Sequence, residues 1–186
     1  MKRYFIHLQN KEYTPKDATV LLERARELVR GAIVRDSRVS KKYIEFDTSI
    51  PDSMGIDNLV GRLQKISPIA SFEHIVEKDL PKDEAIKHAI ELFNEEKYWG
   101  THEALEAVWK ATPKGSERDL INGIILVAAA FVHDLKDERD ICLSILGRAM
   151  KKLDGASGSY HGIDMDRFVG LVNRILQTGR IERFTI

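Results

Sequence analysis

The spacing of apolar residues changes near residue 78. Before that point they fall in short strand-like runs and two helical stretches, and after it every apolar run has helical spacing. "RYFIHL" (Arg3–Leu8) carries the aromatic and branched residues of a strand. Thr14 and Pro15 form a helix start, with Val20, Leu21, Leu22, Ala25, Leu28 and Val29 spaced helically behind them and Gly31 as the stop. "AIVRDSRVSKKYIEFDTSI" reads as a hairpin: Ala32–Arg35, a polar turn, then a strand holding Tyr43–Phe46. A short helix over Asp57–Ile66 sets Leu59, Val60, Leu63 and Ile66 on one face, and Ser71–Glu77 reads as a last strand. The order β-α-β-β-α-β predicts a ferredoxin-like sandwich.

The polar, proline-bearing "KDLPKD" (Lys78–Asp83) marks the boundary. Five helices are expected beyond it: Lys82–Phe93, Tyr98–Ala111, Ser116–Leu135, Glu138–Leu153 and Asp164–Gln177. Short connections favour antiparallel neighbours. "INGIILVAAAFVH" is apolar nearly all round, so it is expected at the centre, where Gly123 and Ala128–Ala130 allow close helix approach. The expected class is therefore α+β: a ferredoxin-like α/β domain over residues 1–78, then an all-helical bundle over residues 79–186.

Composition narrows the setting. Apolar residues make up 43% of the 186 and charged residues 31%, which suits a soluble protein with a real core. Lys+Arg and Asp+Glu both number 29, so no net charge draws the chain to nucleic acid or to a membrane surface. The longest apolar run, Ile124–Val132, is about half the roughly 20 residues a membrane helix needs. The lone Cys142 excludes an internal disulfide and fits a reducing compartment, so a cytoplasmic location is expected. The strand "KKYIEFD" lacks the glycine–aromatic signature of an RNA platform. No Gly-x-Ser-x-Gly elbow or His/Cys nucleophile arrangement stands in the sequence, and serines such as Ser37 and Ser40 fall in polar turns. "GASGSYHG" (Gly155–Gly162) lacks the Gly-Lys-Ser/Thr ending of a phosphate loop and reads as a flexible connection.

Chemistry concentrates in "YWGTHEALEAVW" (Tyr98–Trp109). "HEALE" approaches the zinc-protease pattern H-E-x-x-H, but Glu106 replaces the second histidine. At about 100° per residue, His102, Glu106 and Trp109 share one margin of the helix beside the apolar Ala104, Leu105 and Val108. Glu103 turns away from them, toward the polar side or the helix start. In the next helix Asn122, Leu126, Ala129 and His133 form one stripe, with Asn122 and His133 about 16 Å apart along the axis. Antiparallel packing would carry His133 toward His102 and Glu106. His102, Glu103, Glu106, Trp109 and His133 are the candidate site. A structural role competes directly: His–Glu pairs one turn apart are common on helices and contribute a few tenths of a kcal/mol.

These residues resemble the family known as domain of unknown function 309. The resemblance rests on Phe93-Asn94, Tyr98-Trp99, His102-Glu103, Glu106, Trp109, Gly123, His133 and "YHGIDMDRFV" (Tyr160–Val169), and covers about residues 83–178. It implies an all-helical domain and no established activity. Gly100 and Leu126 depart from it, standing where glutamate and glutamine are common.

Two functions follow from the cluster. The first is binding of a small molecule or a protein partner, with association into a homo-oligomer compatible with it. The second is a metal-dependent hydrolase in which His102, Glu103 or Glu106 (Glu106 first), and His133 hold zinc, manganese or iron and the spare carboxylate activates water.

Overall fold

The computed structural model describes residues 1–76 and 80–186. Contacts divide the chain into two compact units, Met1–Lys78 with Leu135–Asp137, and Asp79–Asp134 with Glu138–Ile186.

In the first unit, strand β1 (Lys2–Gln9) leads through a 3-10 turn (Pro15–Asp17) into helix α1 (Ala18–Leu28). Thr14 and Asp17 form a reciprocal capping box at that turn, the Thr14 N–H donating to Asp17 Oδ2 at 2.7 Å. Gly31, with φ at +95°, turns the chain out of the helix region as glycine allows and alanine resists. β2 (Ile33–Val39), β3 (Tyr43–Ile50), α2 (Ile56–Leu63) and β4 (Ile69–His74) complete the unit. The sheet order is β2-β3-β1-β4, with every neighbouring pair antiparallel, as a ferredoxin-like chain demands. Ile6, Leu8, Ile44, Phe46 and Ile50 pack with Leu21 and Ala25 of α1 and Leu59 and Leu63 of α2. Alternation along the strands therefore sends Phe5, His7, Glu45, Asp47 and Ser49 to the opposite face.

Two expectations need correction here. The segment holding Ser37 is strand, not turn. β2 runs on to Val39 after a bulge between Val34 and Asp36, and Ser37 and Arg38 are buried. Arg38 Nε lies 2.7 Å from Glu45 Oε1, so a polar sequence is held in the sheet by cross-strand charge. The last strand begins two residues earlier than expected, and of its expected end, Glu77 lies outside the described residues.

The second unit holds α3 (Lys82–Asn94), α4 (Tyr98–Ala111), α5 (Ser116–Asp134), α6 (Arg139–Lys152) and α7 (Met165–Thr178). Gly155–Gly162 is more ordered than its composition suggests. Ser159–Tyr160 (β5) pairs antiparallel with Ile163–Asp164 (β6) across His161 and Gly162, both with positive φ, the geometry of a two-residue hairpin turn. The Asp164 side chain then caps α7 by accepting from the Arg167 N–H, and Gly179 ends that helix in the left-handed region. Helix α5 is central, with Ile124, Val127, Ala128, Ala130 and Phe131 at 2% exposure or less. Leu126 and Ala129 are only half-buried, so one stripe of the helix is open. The final residues cross an aromatic core, with the Phe184 ring 5.9, 5.5 and 5.7 Å from those of Phe93, Phe131 and Phe168. Among the described residues no helix is long and apolar enough to cross a membrane.

Candidate functional site

Helix α4 is oriented by four buried side chains, Tyr98, Thr101, Leu105 and Val108. Their three- and four-residue spacing defines one inward stripe. Tyr98 sits between Phe93 and Phe131, 5.1 Å from each ring centroid, and burial pushes its hydroxyl pKa upward. The Thr101 hydroxyl donates to the Ala89 carbonyl at 3.3 Å, tying α4 to α3. Beside this stripe lie Trp99, His102, Glu106 and Trp109, all half-buried, with Glu103 equally so. The margin position expected from helical spacing is the one observed.

His102 stacks flat on Trp99, ring centroids 5.1 Å apart and planes 11° from parallel. Its Nδ1 is buried and has no hydrogen-bond partner. Glu106, one turn along, pairs with Lys110 at 2.9 Å. That hydrogen bond holds the Glu106 carboxyl below the usual range, desolvation opposes the shift, and the charges of Lys110 and His102 lower it further. Trp109 receives the Arg118 guanidinium over its ring at 4.5 Å. Arg118 also donates to the Thr112 carbonyl at 2.9 Å, which locks the α4–α5 turn. Arg118 was not anticipated. Its only sequence signal is a cation one helix-turn-helix step beyond a tryptophan.

His133 does not join this group. The Tyr98–Phe131 contact sets the start of α4 against the end of α5, as short connections require. His102 lies four residues along α4 from that contact, and His133 two residues beyond it the other way. The axial separation is therefore about 9 Å at 1.5 Å per residue. His133 Nδ1 instead meets Glu138 Oε2 at 2.5 Å, across the turn into α6. His102 and His133 thus have different immediate neighbours, Trp99 and Glu138. Among the described residues no group of three or more His, Cys, Asp and Glu could hold a metal ion. What the structure brings together on α4 is His102 with Trp99 and Glu106, and Trp109 with Arg118. On α5, Asn122, Leu126, Ala129 and His133 form a half-buried stripe.

No curated protein matches the chain. Residues 86–144, from α3 into α6, match the family described as domain of unknown function (DUF309), and the histidine–glutamate helix that carries the sequence resemblance lies inside that match.

Proposed function

We propose that the DUF309 segment is a binding module and that the half-buried margin of α4 and α5 takes a small polar ligand or a short partner segment. His102 carries this reading. Its ring is held in plane by Trp99 while Nδ1 makes no hydrogen bond, so orientation comes from stacking and hydrogen-bonding capacity remains unused. Glu106 and the Arg118–Trp109 pair supply opposite charges within the next two turns, which suits a ligand with both donor and acceptor groups. A cytoplasmic location accords with the single buried cysteine. In the same reading the sheet-bearing unit is a separate domain serving association or regulation.

Titration with phosphate and with a series of small carboxylates, followed by NMR of the histidine rings and indole N–H groups, tests the module. The expected outcome is a saturable shift of the His102 and Trp109 signals, lost in His102→Ala and reduced in Glu106→Gln. Signals that stay fixed through millimolar additions would remove the small-ligand reading.

A further inference from the structure

The sheet register of the first unit lines up four polar residues from four different strands. Ser71 on β4 faces His7 on β1, His7 faces Glu45 on β3, and Glu45 faces Arg38 on β2. All four belong to the face opposite α1 and α2, and their side chains touch in sequence. His7 Nε2 lies 2.7 Å from Glu45 Oε2, Arg38 Nε lies 2.7 Å from Glu45 Oε1, and Ser71 Oγ lies 3.4 Å from His7 Nδ1. His7, Glu45 and Arg38 are 3%, 6% and 1% exposed, whereas Ser71 is only half-buried. The row is sealed at one end and open at the other.

We propose that Ser71, His7 and Glu45 form a nucleophile–base–acid relay able to cleave small activated esters at the open edge of the sheet. The acid fixes the tautomer. Glu45, its charge balanced by the buried Arg38, accepts the proton on His7 Nε2, which leaves the Nδ1 lone pair facing the Ser71 hydroxyl. A 3.4 Å separation is at the long limit of a hydrogen bond, and such contacts tighten when substrate binds. Tyr43, edge-on to the imidazole at 5.5 Å, limits its rotation.

The backbone supplies the remaining part. β4 is an edge strand. The Ile75 N–H donates to the Arg3 carbonyl at 2.8 Å, so by alternation the N–H groups of residues 73 and 71 also point toward β1. That of Phe72 points to the unpaired edge, next to the nucleophile, where it can donate to an oxyanion as the N–H following the nucleophile does in other acyl-transfer sites.

In the reaction, the Ser71 hydroxyl proton passes to His7 Nδ1 as Oγ bonds to the ester carbonyl carbon. Collapse of the adduct breaks the bond to the leaving alkoxide, which takes the proton from Nδ1. Water then attacks the acyl-serine with the same base, releasing the carboxylic acid and restoring the hydroxyl. Glu45 and Arg38 are positioning residues. The sequence concealed the relay because 38 residues separate His7 from Glu45 and 64 separate it from Ser71.

The full-length protein incubated with p-nitrophenyl acetate should release p-nitrophenolate in a burst of about one equivalent and carry the acetyl group on Ser71 by peptide mass spectrometry. Ser71→Ala should abolish the burst, and His7→Gln should slow acylation by about a hundredfold or more. The wild-type acylation rate should rise with pH, as transfer of the Ser71 proton to a base requires, a readout that holds even if His7→Gln does not fold. An acetyl group confined to other residues, or acylation of Ser71 at a rate flat from pH 5 to 8, would overturn the relay.

Discussion

Gly123 of α5 and Leu153, at the end of α6, are so close that a Cβ on residue 123 would stand 2.5 Å from Leu153 Cδ2 and 2.6 Å from its Cγ. The absent side chain is what lets the two helices approach. Gly123→Ala should therefore destabilise by about 1–3 kcal/mol through overpacking, although alanine is the better helix former. Gly147, in α6, has nothing within 4 Å of its would-be Cβ. Gly147→Ala should stabilise by up to about 1 kcal/mol. Urea unfolding of the two variants measures both signs, and a Gly123→Ala protein as stable as wild type would contradict the close approach.

Periodicity made the helices legible because each buries one continuous face. Tyr98–Ala111 starts and stops where its pattern does, and the His102, Glu106, Trp109 margin needed only the helix angle. What it could not convey was axial offset between helices. Phe131, not His133, meets the start of α4, and that depends on how aromatic rings interlock. Strand β2 was half-missed because its polar residues are stabilised by Glu45 and Asp47 on another strand, which local propensity does not register. The β5–β6 hairpin was hidden by its glycines, which signal a turn without saying that strands flank it. His7 looked like one more strand residue, since only the register reveals its neighbours.

The chain end is held by a side chain. Asn94 Oδ1 accepts from the Ile186 N–H at 2.7 Å, and Asn94 Nδ2 donates to the Ile186 carbonyl at 2.9 Å. Arg183 pairs with Asp134 and, at 3.5 Å, with Glu96, while Phe184 enters the aromatic core. Phe184→Ala should cost about 2 kcal/mol, below the range for a fully buried ring because the side chain is half-buried. Asn94→Ala should cost about 1–2 kcal/mol by leaving two backbone groups without their partner. Hydrogen exchange of residues 180–186 should accelerate in both variants, and unchanged exchange in Asn94→Ala would show that the clamp does not hold the end in place.

The change of rhythm near residue 78 and the division of contacts lead to a prediction about folding units. Brief trypsin digestion should cut first within the polar run at Lys78–Lys82. The C-terminal fragment should keep a helical circular-dichroism spectrum with cooperative melting. A fragment that melts without a transition would show that the two units fold only as one.

Cys142 links burial to pH. It is fully buried in α6, and desolvation pushes its thiol pKa up to about 12, with Asp134 adding to the rise and Arg183 and Arg139 opposing it. The folded protein therefore holds this proton more tightly than the unfolded chain, whose thiol titrates near 8.5. The sign follows from linkage. The contribution to stability is fully present below about pH 8.5 and is lost as pH climbs toward 12, because only the unfolded chain gains the favourable thiolate. Cys142→Ala removes the titrating group at the cost of a small cavity, so its stability is lower at neutral pH but falls less between pH 8 and 10.5. Paired denaturation curves across that range give the difference in slope directly. In the native protein the thiol should also resist iodoacetamide at pH 8, and denaturation should expose one reactive equivalent. Parallel slopes for wild type and Cys142→Ala, together with rapid native alkylation, would show that the thiol is neither sealed nor shifted.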